Sequence, residues 1–147
     1  MSKPIKPSWS KYFLSLCDVI ATRSSCDRLS VGAVIVGEDN QIISTGYNGA
    51  LRGMPECNEN GHLMIDGHCR NVVHSETNAI AQAARHGISV KNSTIYCNFL
   101  PCLECYKLIA AAGISNIVYR EKYGNSNITE KLASHSNSKT KLYQYGG

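Results

Sequence analysis

Apolar side chains recur at steps of three and four near the start of the chain. Trp9, Tyr12, Phe13, Leu16, Cys17 and Ile20 therefore share one face of a predicted helix. Ser8 or Ser10 supplies its cap, and the pattern fades near Ser24 and Ser25. Cys17 lies on this stripe and reads as a small buried hydrophobe. The period then shortens. V-G-A-V-I-V-G (Val31 to Gly37) and Q-I-I-S-T-G-Y are β-branched runs separated by E-D-N, which predicts a hairpin turning at Glu38 to Asn40. From Tyr47 to Arg70 no period holds, and Gly, Asn, Cys and His dominate. A loop of that length inside a compact domain is usually functional or held by something.

Regular patterns return after it. A helix is predicted over Ser75–His86 and ends at Gly87; a strand follows over Ser93–Cys97. L-E-C-Y-K-L-I-A-A-A forms another helix, stopped by Gly113, and N-I-V-Y another strand. Ile128–Ser134 reads as a short helix and Lys141–Tyr145 as a last strand, with the polar S-H-S-N-S-K-T loop between them. Strands alternating with helices predict an α/β layered domain with helices covering a sheet. The apparent core includes Cys97; His86 and His135 read as surface residues.

Composition narrows the class. The 147 residues fit one domain spanning 1–147, and 43% hydrophobic with 18% charged residues is ordinary for a globular protein. A net charge of +4 suits an anionic ligand but falls short of the basic stripe of a nucleic-acid binder. The opening M-S-K-P-I-K-P-S-W-S has no apolar signal core, and no run approaches membrane-spanning length, so no membrane association and a cytoplasmic location are expected. Thiols stay reduced there, and seven cysteines point to metal or catalysis rather than to disulfides.

Two short motifs carry the chemistry. V-H-S-E-T-N-A-I places His74 and Glu76 at a helix start, and F-L-P-C-L-E-C places Cys102 and Cys105 on the first turn of a later helix, behind Pro101. Alone, H-x-E is usually capping beside a surface histidine, and C-x-x-C is a redox pair or half a structural zinc site. Together they supply one nitrogen and two sulfurs, a catalytic zinc set with its fourth position left for water. Glu76 is not needed as a ligand and is expected to shuttle protons. The order H-x-E then P-C-x-x-C is the signature of zinc nucleobase deaminases.

With C-D-R-L-S-V-G-A-V-I-V (Cys26 to Val36), I-S-T-G-Y-N-G (Ile43 to Gly49), G-H-C-R (Gly67 to Arg70) and A-A-G-I (Ala111 to Ile114), the chain resembles the cytidine deaminase-like superfamily and, within it, the deoxycytidylate (dCMP) deaminases. The resemblance covers residues 9–123 or so. It departs at Ser75, where the family usually has alanine, and at A-L-R-G-M-P, where a proline usually stands two residues after G-Y-N-G. It implies a three-layer α/β/α fold around a mixed sheet of about five strands. It also implies zinc-dependent hydrolysis of dCMP to dUMP and ammonia, supplying thymidylate synthesis. Asn48 is expected to hydrogen-bond the sugar or base, the alternative being a turn asparagine that braces its own loop. Arg28, Arg52, Lys122 and Tyr123 are candidates for the 5′-phosphate, with Tyr123 taken forward as a substrate contact. Such proteins commonly form hexamers activated by dCTP with Mg²⁺ and inhibited by dTTP. A nucleic-acid-editing deaminase would need a basic, aromatic-lined groove, and a zinc-stabilised binding module would have closed four-ligand sites and no use for Glu76.

The aperiodic segment still needs an account. Cys57, His62, His68 and Cys69 lie inside it, with Cys26 ahead of the first strand. A loop with few apolar residues gains order from a clip. Relatives of this kind carry a second, structural zinc, so Cys26, Cys57, His62 and Cys69 are expected to hold one here, with His68 the alternative to His62.

Overall fold

Helix α1 (Trp9–Ala21) begins where Ser8, in an extended conformation, accepts a hydrogen bond from the Lys11 N–H at 3.2 Å. Its buried side chains are Phe13, Leu14, Cys17 and Ala21. That face is rotated from the predicted stripe: Trp9 and Tyr12 remain exposed, and Leu14 takes their place. The cause lies in the strand beneath. A Cβ on Gly32 would collide with the Cys17 carbonyl, so the helix touches the sheet backbone to backbone at Cys17. The neighbours of Cys17 at three and four residues then face the sheet. Trp9 instead stacks on Phe13, with centroids 5.6 Å apart and planes 15° from parallel.

The computed structural model describes residues 3–24, 29–54, 64–65, 68–69, 72–124 and 127–146. Within them, β1 (Gly32–Val36) and β2 (Ile42–Tyr47) form the expected hairpin. Its turn places Asn40 at φ 62°, a left-handed conformation that asparagine tolerates. The remaining elements are β3 (Gly49–Ala50), β4 (Met64–Ile65), β5 (His68–Cys69), β6 (Val72–Val73), α2 (Ser75–Arg85), β7 (Thr94–Phe99), α3 (Leu103–Ala111), β8 (Asn116–Glu121), α4 (Asn127–Ala133) and β9 (Lys141–Gln144). Gly87 and Gly113, both at positive φ, stop α2 and α3 as their positions predict.

The central sheet has five strands in the order β2-β1-β7-β8-β9. β1 runs antiparallel to β2 and β7, while β7, β8 and β9 are mutually parallel. Because side chains alternate along β1, Val34 and Val36 meet Phe13, Leu14 and Cys17 on one face. Ala33 and Ile35 meet Ala79, Ala83, Ile109 and Ala133 on the other. Helix α1 thus covers one face and α2, α3 and α4 cover the opposite one, giving the three-layer α/β/α fold. Cys17 and Cys97 are fully buried in these two layers.

The segment expected to lack regular structure departs from that reading in two places. β3 pairs with β6, and β4 pairs with β5, each through two residues per strand. Runs this short leave no periodicity for a sequence to show.

Helix α2 lies on β2 at Gly46. A Cβ there would strike the Ser75 carbonyl and come within 2.6 Å of the Ala79 nitrogen. Both obstacles are backbone, so neither can rotate away. Gly46→Ala should therefore lower stability by about 3 kcal/mol, read as a drop in the urea unfolding midpoint with unchanged slope.

Candidate metal centre

Two helix N-termini meet at one end of the sheet. β7 ends at Phe99, and Leu100 donates its N–H to the Glu121 carbonyl at 2.8 Å, holding the chain beside β8 as it turns. Buried Pro101 follows, and Cys102 occupies the N-cap of α3. The other helix arrives differently. β3 and β6 pair side by side, and β6 delivers His74 to the N-cap of α2. Neither cap residue makes the side-chain hydrogen bond usual at that position. Their side chains turn towards each other instead.

His74 Nδ1 lies 3.2 Å from Cys105 Sγ and 3.5 Å from Cys102 Sγ. The three ligand atoms fall within 4.8 Å of one another. His74 and Cys102 are exposed and Cys105 is buried, so the cluster opens to solvent on one side. The thiols are strongly linked. A hydrogen bond from Cys105 draws the Cys102 thiol down to about 4, and the same contact, with burial, pushes the Cys105 thiol up. One sulfur is thus already disposed to be a thiolate beside an imidazole, a donor set that fits zinc. Thr77 Oγ1 lies 3.8 Å from Cys105 Sγ.

Glu76 sits on the first turn of α2, 4% exposed. Burial raises its pKa; hydrogen bonds from Ser75 and Cys105 and the nearby His74 oppose that rise. The Ser75 hydroxyl donates to Glu76 Oε1. Sequence reading did not single out Ser75 for this role, since a serine at a helix start normally signals a cap.

Two asparagines brace the chain where it enters β1. Asn48, following β2, accepts from the Val31 N–H at 2.8 Å and donates to the Leu29 carbonyl at 2.6 Å. Asn98, on β7, accepts from the Gly32 N–H at 3.0 Å and donates to the Ser30 carbonyl at 3.2 Å. Residues 29–32 are thereby held from both sides. Asn98 also escaped the sequence reading, because a polar residue in a strand run carries no distinctive spacing. A third asparagine, Asn78, donates to the Tyr47 carbonyl at 2.8 Å and ties α2 to the end of β2.

Tyr123 is exposed and meets Phe99 edge-on at 6.4 Å, just beyond β8. Arg52 is exposed, while Lys122 Nζ lies 3.0 Å from Glu130 Oε1. Arg28, Cys26, Cys57 and His62 lie outside the described residues. Of His68 and Cys69 the backbone is described, in β5. His86 and His135 are exposed, as expected.

A family profile for the cytidine and deoxycytidylate deaminase zinc-binding region matches residues 7–121. The chain is 42% identical over 125 residues to ComE operon protein 2 of Bacillus subtilis (strain 168), across 85% of this chain and 66% of that protein. It is 40% identical over 129 residues to the deoxycytidylate deaminase of Saccharomyces cerevisiae, across 84% of this chain and 41% of that enzyme. The chain therefore spans less than two thirds of the length of these two relatives. The crystal structure of dCMP deaminase from the cyanophage S-TIM5, in complex with dCMP and dUMP, superposes with a TM-score of 0.79 at 28% identity. That match covers 97% of this chain and all of the other.

Removing one ligand should release the metal without unfolding the chain, because Cys102 is exposed. Cys102→Ser should lose about one equivalent of zinc relative to the unaltered protein, measured by elemental analysis after dialysis, while its far-ultraviolet circular dichroism stays the same.

Proposed function

The chain belongs to the family of cytidine and deoxycytidylate deaminases that share this zinc-binding region, and on that premise we propose that it hydrolyses dCMP to dUMP and ammonia. The observation that carries the reading is the buried Glu76 carboxyl next to the His74, Cys102 and Cys105 cluster. These three residues would hold the catalytic zinc. Bound there, zinc supplies a water acidified towards neutrality, and so hydroxide at physiological pH. Glu76 accepts a proton from the attacking water and delivers it to N3 of the cytosine ring. It then relays a second proton to the amine leaving C4. Burial supports this role, because it raises the pKa of the Glu76 carboxyl and so favours its uptake of a proton.

A mononucleotide fits better than a nucleic-acid strand. Of the exposed aromatics among the described residues, Trp9 and Tyr12 sit on α1, across the sheet from α2 and α3, Tyr143 lies on β9, and Tyr123 follows β8 beside Phe99. A strand-binding groove would need several such rings beside the cluster. In this reading Asn48 and Tyr123 contact the substrate, and Arg28, Arg52, Lys122 or Tyr123 meets its phosphate. The enzyme would work in the cytoplasm as a homo-oligomer, a hexamer by resemblance, in pyrimidine nucleotide synthesis. dCTP with Mg²⁺ and dTTP are its proposed effectors.

A second, structural zinc held by Cys26, Cys57, Cys69 and either His62 or His68 completes the proposal. Four-ligand closure would order the long segment after β3. Cys57→Ser should then cut zinc from about two ions per chain to about one and lower the melting temperature. An unchanged metal content in that variant excludes the site.

Turnover tests the rest. Ammonia release should be much faster from dCMP than from deoxycytidine or cytosine-containing single strands; preference for the nucleoside would refute the nucleotide assignment. Glu76→Gln should keep the catalytic zinc yet lose about 10³-fold or more in kcat. Full activity in that variant would remove Glu76 from the mechanism.

A further inference from the structure

We propose that Ser75 is a positioning residue that fixes the Glu76 carboxylate for its proton transfers, an inference that rests on the role given to Glu76 above. Ser75 opens α2 and is 1% exposed, so its hydroxyl must find a partner within the protein. Its position allows several: N-terminal serines usually turn back to backbone N–H groups. Here the hydroxyl donates forward to Glu76 Oε1, one residue along.

The backbone that carries this hydroxyl has little freedom. The Ser75 carbonyl rests against the Cα of Gly46, where no side chain would fit. One turn on, the Ser44 hydroxyl donates to the Ala79 carbonyl at 2.6 Å, and Asn78 holds the Tyr47 carbonyl. The first two turns of α2 are thus held against the end of β2 at three points. A donor mounted there is a fixed reference for a flexible glutamate side chain.

The hydrogen bond from Ser75 fixes one of the two oxygens of the Glu76 carboxyl. By holding Oε1 it leaves the second carboxylate oxygen for the water and the ring nitrogen. Small errors in placing such a group cost rate steeply, because reacting atoms must lie within hydrogen-bond reach.

The test compares zinc-loaded Ser75→Ala with the unaltered enzyme. kcat on dCMP should fall about tenfold, with KM within about twofold and zinc content and chelator resistance unchanged. A role confined to folding would leave that split between kcat and KM absent. A second readout needs no activity: in metal-free protein, Ser75→Ala and Glu76→Gln should be non-additive in their unfolding midpoints, as expected of residues in contact. A kcat for Ser75→Ala within twofold of the unaltered enzyme, or an additive cycle, overturns the proposal. If the unaltered enzyme fails to turn over dCMP, or Glu76→Gln stays fully active, the functional reading fails instead, and the additivity result still reports the contact.

Discussion

The closeness of α2 to β2 at Gly46 sets the position of nearly everything in the site. With no side chain between them, the Ser75 carbonyl and the Ala79 nitrogen rest on the strand itself. A helix seated this deep carries its first turn below the surface. That is how Glu76, a residue type rarely found buried, comes to be 4% exposed while His74, two residues earlier, stays open to solvent. Ligand and carboxylate are neighbours in sequence but occupy different dielectric environments. A bulkier strand residue would lift α2 and abolish that difference.

Burying a carboxyl beside two thiols concentrates negative charge, and the fold supplies opposing terms. α2 and α3 both begin at the cluster, so their positive ends face it. His74 adds a nearby ring that favours the ionised carboxylate. Beneath them, burial keeps Cys97 a neutral thiol, adding bulk without charge. The cluster also stands just beyond the carboxyl ends of the parallel strands β7 and β8, where open α/β sheets generally gather their ligands.

Much of this was legible from residue order, for reasons that differ by element. His74, Glu76, Cys102 and Cys105 could be read because metal chemistry demands particular atoms at helix starts, and local spacing conveys that. The β1–β2 hairpin and the stops at Gly87 and Gly113 were legible because φ > 0 and strand alternation leave direct marks. The face of α1 was read one position off, since Trp9 and Tyr12 keep the three- and four-residue spacing as well as Leu14 does. The backbone contact at Gly32 that decides the matter joins residues far apart in the chain. The bonds of Asn98 and Ser75 were invisible for the same reason: each depends on which atoms tertiary packing brings near, and neither residue type has a unique partner. The pairing of β3 with β6 was too short to register.

The bracing of residues 29–32 uses only carboxamides. Each of Asn48 and Asn98 returns one donor and one acceptor to the backbone, imitating the edge of a neighbouring strand. An ion pair could have held the same segment, but its strength would vary with ionic strength and with every charge that came near. Amides have no net charge to screen and no proton to lose in the physiological range. The entry into β1 is thereby electrically deaf: charges can come and go around it without loosening its hold.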